Sequence, residues 1–345
     1  MAVPLGVRTK NAVVKLDLHE KAHGPHGLVA GTTGSGKSEI MQSYIINMAL
    51  FFHPYEVTFL IIDFKGGGMA NQFLGLPHLA GTITDIDGRE IDRSLKSIKA
   101  ELERRKKLFA EAGVNKIDSY IHMYKQDPTS VPAPLPHLII IVDEFAELKA
   151  EQPDFMKELV SAARIGRSLG VHLILATQKP SGVVDGQIWS NSRFKLCLKV
   201  QTKEDSQEVL KTPLAAEIRE PGRAYLQVGN NEYFELFQSA YSGAKVPNVD
   251  PSAVQPYKIN ELNMWGKPTT VYEVKAKKND SGDEKKPTTQ LDALVEYVAD
   301  FCREAKITPL PSICLAPLTK HLLLSELNEG VDMRKGQGIV VSVAR

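Results

Sequence analysis

The chain has 345 residues, 43% of them hydrophobic, and carries 42 Lys and Arg against 41 Asp and Glu. That length suits one large domain or two ordinary ones and supplies enough apolar residues for a sizeable core. The near-cancelling charge excludes a global field that recruits nucleic acid or an anionic membrane, apolar runs such as 138–142 fall far short of the roughly 20 residues of a membrane-spanning helix, and three scattered cysteines make neither a disulfide framework nor a zinc site.

No signal-peptide pattern opens the sequence, and a reducing cytosol suits its cysteines. Residues 3–18 hold two apolar stretches around charged residues and predict a hairpin or edge strands. Residues 26–30 then read as a short buried strand, and residues 39–50 as a helix with an apolar face. Between them stands Gly31-Thr32-Thr33-Gly34-Ser35-Gly36-Lys37-Ser38, a complete phosphate loop in the strand, loop, helix order that the motif requires. Its glycines let several backbone N–H groups point into one concavity, and the helix start adds the positive end of its dipole. A nucleoside triphosphate, ATP, fits such a nest. Lys37 would reach the β- and γ-phosphates and Ser38 would ligate Mg²⁺, with Gly31 to Ser38 and the adjoining Glu39 forming the nucleotide-binding set. The competing reading is an ordinary glycine-rich turn capping a helix.

Residues 57–62 form a β-branched apolar strand ending at Asp63, followed by a loop, 64–68, with three consecutive glycines; that loop reads equally well as a close-approach element and as a flexible turn. From Asp87 to Gly113, apolar residues at helical spacing predict one long helix whose polar surface carries Arg93, Arg104, Arg105, Lys106 and Lys107, offset by Glu101 and Glu103. Residues 127–136, with four prolines, are a connector. It leads into the aliphatic run 138–142 and then Asp143 and Glu144, the form of a Walker B strand. Asp143 would hold the Mg²⁺ shell and Glu144 would orient and polarise the attacking water. Alone, an Asp-Glu pair at a strand end would more often cap a helix.

A helix over 154–169 precedes another buried strand, 171–176, whose polar end, Thr177 and Gln178, would sense the γ-phosphate if this strand neighbours the first. Otherwise these two face water. Residues 194–200 alternate and predict a strand with one wet side, and 223–238 read as a β-hairpin. The predicted fold is therefore α/β: a RecA-like P-loop core with a mostly parallel central sheet flanked by helices, spanning 1–245. Residues 246–345 form a linker and C-terminal segment. Within it, 275–287 is a charged linker, 289–305 an amphipathic helix with Leu291, Leu294, Val295, Val298 and Phe301 on one side, 309–317 a proline-rich stretch and 322–324 an apolar plug. This segment is expected to pack on the core or to lead to a further domain.

Residues 26–39, 61–68, 141–148 and 172–180 together resemble the FtsK/SpoIIIE family of ring-forming ATPases. Residues 101–105, 112–113 and 163–170 are similar, more narrowly, to the ATPase domains of type VII secretion motors, and the likeness covers about 1–245. The resemblance implies ATP hydrolysis in hexameric rings or strings of tandem domains, each site completed by an arginine from the neighbour. Arg93 is the first choice for that arginine, because it looks like a family arginine between the two Walker elements; Arg193, Arg164 and Arg105 stay open. It further implies a cytoplasmic domain of a membrane-anchored secretion complex, with small helical WXG-type proteins as the exported substrates. An alternative within the family is a double-stranded DNA translocase, which would grip phosphates and show steep salt dependence. The near-neutral charge and the absence of a basic helix-turn-helix segment disfavour it. A non-hydrolysing scaffold is disfavoured by Lys37, Ser38, Asp143 and Glu144 occurring together.

Overall fold

A computed structural model describes residues 1–63, 68–84, 88–246, 257–274 and 289–314. The chain starts with an antiparallel pair, β1 (Ala2–Val7) and β2 (Val13–Asp17), the expected hairpin. It continues through β3 (Gly27–Ala30), α1 (Lys37–Phe51), β4 (Val57–Asp63), β5 (Leu79–Ile83), α2 (Gly88–Ala112) and α3 (Ile117–Gln126). Next come β6 (His137–Asp143), α4 (Phe145–Glu151), α5 (Pro153–Gly166), β7 (Val171–Thr177), α6 (Gly186–Asn191), β8 (Phe194–Cys197) and α7 (Lys203–Leu210). A hairpin, β9 (Arg223–Val228) and β10 (Tyr233–Ser239), closes the core. A separate hairpin, β11 (Tyr257–Leu262) and β12 (Pro268–Val274), and α8 (Gln290–Glu304) follow.

Ten strands form one sheet in the order β2-β1-β10-β9-β8-β3-β7-β6-β4-β5. The strands from β8 to β5 are parallel, and the hairpins on the other side are antiparallel. Because crossover helices cover both faces, the parallel strands read as continuous apolar runs. Successive residues of β6 show why: Leu138, Ile140 and Val142 enter the core under α2 to α5, while Ile139 and Ile141 enter the core under α1 and α8. The mostly parallel α/β architecture expected from the sequence is the one observed.

Several local readings are overturned. Strand β8 has no wet side: all four residues are buried, Lys195 included at 2% exposure, because β8 lies between β3 and β9 instead of at an edge. Arg105 does not sit on the polar surface of α2. It is 1% exposed, its Nε donates to Glu101 Oε1 at 2.8 Å and its Nη1 to the Leu169 carbonyl at 2.8 Å, so it fastens α2 to the turn before β7 and has no free guanidinium to offer a neighbour. On α8 the expected stripe is observed at Leu291, Val295 and Val298, with Leu294 partly buried against the same core, but Phe301 is 56% exposed and Cys302 is buried in its stead. The β11–β12 hairpin has no counterpart among the sequence expectations, since its alternation is interrupted by an Asn-rich stretch. Asp87, loop residues 64–67, the linker 275–287, the end of the proline-rich stretch past residue 314 and the plug 322–324 lie outside the described residues.

Buried imidazoles make the fold sensitive to acid. Burial, with Arg167 adding to it, lowers His26 from 6.5 to about 4, and burial also lowers His78 to about 4 against the pull of its hydrogen bond with the Phe52 carbonyl. Both are neutral in the fold at pH 7, while an unfolded chain takes up their protons near pH 6.5. Their stabilisation is therefore complete above pH 6.5 and is lost as pH falls towards 4, each group contributing about 1.4 kcal/mol per pH unit within that window. Urea unfolding at pH 7 and pH 5 is expected to show a clearly lower midpoint at pH 5. An unchanged midpoint would contradict the burial of these two side chains.

Candidate active site

Strand β3 ends at Ala30, and the chain turns through the glycine-rich loop into α1. Gly36 has φ 95°, and a Cβ placed there would sit 2.9 Å from the Gly222 backbone nitrogen, so position 36 needs glycine for two separate reasons. The loop is pinned from both neighbouring strand ends: Gly31 N–H donates to the Thr177 carbonyl at 3.1 Å, and Thr32 N–H donates to the Lys199 carbonyl at 2.8 Å. Ser35 accepts, through its carbonyl, the Gly222 N–H at 2.8 Å. The Ser35 hydroxyl is buried without a hydrogen-bond partner, a polar group left for something outside the protein.

Strand order brings the second half of the site to this loop. β7 neighbours β3, with Thr177 opposite Ala30, and β6 lies beyond β7, so Asp143 ends a strand about 10 Å, two strand spacings, from β3. The Lys37 side chain crosses that gap. Its ammonium, in a residue 5% exposed, pairs with Asp143, 106 positions later in the chain. Glu144 follows in a left-handed conformation, φ 58° and ψ 54°, which costs a non-glycine residue on the order of 1 kcal/mol or more and turns its side chain towards β7. There the buried carboxylate accepts from Thr177 Oγ1 at 3.0 Å and from the Gln178 backbone N–H at 3.1 Å. The Gln178 side chain completes the circuit, accepting from Thr33 Oγ1 of the loop at 2.7 Å.

Lys37, Asp143, Glu144, Thr177, Gln178 and the loop from Gly31 to Ser38 are thus brought together. Ser38 is exposed at the first turn of α1. The Glu39 carboxyl is held above its ordinary range by burial, with a hydrogen bond from the Gly243 backbone pulling the other way. Arg93 is exposed on the first turns of α2, which follows the edge strand β5. Four strand spacings, about 19 Å, separate β5 from β3, so Arg93 is remote from the loop of its own chain. Arg164 and Arg193 lie near the opposite, amino-terminal ends of β7 and β8.

A cavity of about 700 Å³ opens beside the loop, large enough for a nucleoside. Its far wall comes from residues that sequence reasoning misses: Lys199, Gln201, Thr202 and Asp205 after β8, and Arg219, Glu220 and Pro221 before β9. Part of this wall has a local signal. Thr202 and Asp205 form a reciprocal capping box at the start of α7, the Ser/Thr-x-x-acid spacing visible in any sequence. No such pattern marks Arg219 as facing the same space.

The donor set suits a magnesium nucleotide. One carboxylate and one hydroxyl are hard oxygen ligands, and Mg²⁺ takes few protein ligands because it keeps waters and phosphate oxygens.

Known proteins share this sequence pattern and this fold. The FtsK/SpoIIIE family profile matches residues 1–182. Over 336 residues, 97% of the chain, the sequence is 57% identical to the type VII secretion system protein EssC of Staphylococcus aureus, of which it spans 22%. The cytoplasmic domain of the Thermomonospora curvata type VII secretion ATPase EccC superposes with a TM-score of 0.74 at 28% identity, covering 94% of this chain and 33% of that one. The pCW3 conjugation coupling protein TcpA, in a monomer form with ATPγS, superposes with a TM-score of 0.55 at 26% identity over 70% of this chain and 66% of that one. The chain therefore spans about a fifth of the length of the curated relative and a third of the EccC domain. No described helix is long and apolar enough to cross a membrane.

Proposed function

The chain belongs to the FtsK/SpoIIIE family, and from that premise we propose that it is an ATP-hydrolysing motor domain of a type VII secretion system. The observation that carries this reading is the convergence of Lys37, Asp143 and Glu144 at one end of the sheet, beside a nucleoside-sized cavity. Loop amides and Lys37 bind the phosphates of ATP. Ser38 and Asp143 hold Mg²⁺, which when bound neutralises charge developing on the transferred phosphoryl group. On arrival of the nucleotide, Lys37 exchanges Asp143 for phosphate oxygens. Glu144 positions and polarises the attacking water, and Gln178, already linked to Thr33, reports whether a γ-phosphate is present.

A neighbouring copy or tandem domain supplies the missing positive charge, and Arg93 is the residue we assign to it. Its exposure and its distance from its own loop fit an arginine acting on the adjacent site. In this reading the substrates are small helical WXG-type proteins, and the domain works at the cytoplasmic side of a membrane complex as one of several ATPase units in a ring; the likeness to EssC and EccC supports it.

Two measurements test this reading. Turnover of the purified chain is expected to be slow and indifferent to double-stranded DNA; DNA stimulation that fades as salt rises would assign the domain to DNA translocation instead. Mixing Arg93→Ala with Lys37→Ala subunits pairs an intact loop with an intact arginine across some interfaces, so part of the activity should return. No return from two folded, co-assembling variants would remove Arg93 from this role.

A further inference from the structure

A second cavity, of about 280 Å³, lies at the amino-terminal ends of β3, β7 and β8. It is one strand length, about 13 Å, from the phosphate loop and shares no residue with the larger cavity. Residues 24–26, the end of α5, residues 189–193 and Lys195 surround it.

Positive charge dominates this space. Arg167 is paired with Glu20 at 3.2 Å and Arg193 with Glu232 at 3.1 Å, but Arg164 and Lys195 have no carboxylate within ion-pair distance among the described residues. Lys195 is 2% exposed, and its ammonium stands 3.9 Å from the centre of the Trp189 ring, which Lys211 also approaches at 5.0 Å. An indole face softens the cost of a buried ammonium without neutralising it. Burial and the nearby Lys211 bring Lys195 down to about 8, still mainly charged at pH 7.

Two further donors lack acceptors. His26 is 6% exposed, and its Nδ1 accepts the Leu173 N–H at 3.0 Å, so the neutral ring carries its proton on Nε2. That Nε2 is buried with no partner, and so is Nε of Arg193. Leaving buried donors unpaired is costly, and the N–H groups of Lys195 and Arg164 together with those of His26 and Arg193 outnumber the roughly four acceptor positions of a carboxylate.

We propose that this cavity binds a phosphate-type oxyanion, free or as a phosphomonoester, held by Lys195, Arg193, Arg164 and His26. The anion supplies the missing counter-charge and the missing acceptors together. It is a site separate from the one that binds the nucleotide phosphates.

Trp189 makes the site observable. In a Trp265→Phe, Lys37→Ala background Trp189 is the only indole and the phosphate loop is disabled. Titration with inorganic phosphate at constant ionic strength should change its fluorescence saturably, whereas chloride should not. Lys195→Met should weaken binding about tenfold or more, and Arg164→Gln, at an exposed position, several-fold. Phosphoserine binding more tightly than inorganic phosphate would make the ligand a phosphomonoester; the reverse order would make it the free anion. No saturable response to either, or a response unaltered by Lys195→Met in a variant with a native circular dichroism spectrum and melt, would overturn the proposal. If Lys195→Met does not fold, unchanged phosphate affinity in Arg164→Gln would overturn it equally.

Discussion

Lys37→Ala is expected to abolish measurable ATP binding, raising the dissociation constant by about a hundredfold or more. The magnitude follows from the chemistry of the contact. An ammonium donating to two phosphate groups makes charge-assisted bonds of about 1.5–3 kcal/mol each, and a hundredfold change corresponds to about 2.7 kcal/mol. Removing it also leaves Asp143, whose side chain is only 20% exposed, without its ion-pair partner. Some loss of stability should therefore accompany the loss of binding, which makes a thermal melt a necessary companion to calorimetric titration with ATP and Mg²⁺. ATP affinity within threefold of the parent, in a variant that melts cooperatively, would remove the phosphate-loop role from Lys37.

Glu144→Gln should do the opposite: retain ATP while lowering the turnover rate by about 10²- to 10⁴-fold, the usual contribution of a positioned general base. Glutamine keeps the length of the side chain and one carbonyl oxygen. That oxygen can still accept from the Gln178 N–H and the Thr177 hydroxyl, so the strained left-handed turn at position 144 remains fastened to β7. What disappears is the negative charge that polarises water. Single-turnover hydrolysis separates the two effects. A normal rate would hand the base role to another group, and lost ATP binding would mean that Glu144 shapes the loop and does not act on water.

Both substitutions fall on residues that short-range patterns identify. The phosphate loop is a local device: its glycines, lysine and serine are contiguous, and the strand before and helix after carry their own periodicities. The Walker B strand is equally local, an aliphatic run ending in two carboxylates. Thr177 and Gln178 are conditional, resting on a strand adjacency that no short-range pattern reports. The cavity wall formed by Lys199, Gln201 and Arg219 escapes sequence reasoning for the same reason, because it assembles from two loops on the other side of β3.

Burial shows the same division. An alternating stretch predicts one wet face only if the strand has solvent on one side, and β8 does not, so Lys195 is an interior cation over Trp189. Arg105 reads as one of several basic residues on a solvated helix, yet α2 packs against the turn before β7 at that position and closes over it.

By itself the sequence determined the class of fold, the phosphate loop, the paired carboxylates and the family, since each is written in contiguous residues whose spacing sets local geometry. The tertiary structure alone decided that β7 separates β3 from β6, that Lys37 meets Asp143, that Glu144 is gripped from β7, and that His26, Arg164, Arg193 and Lys195 gather around one cavity at the far end of the strands. Strand order depends on which apolar faces bury one another across the whole chain, a non-local free-energy balance that local spacing does not encode.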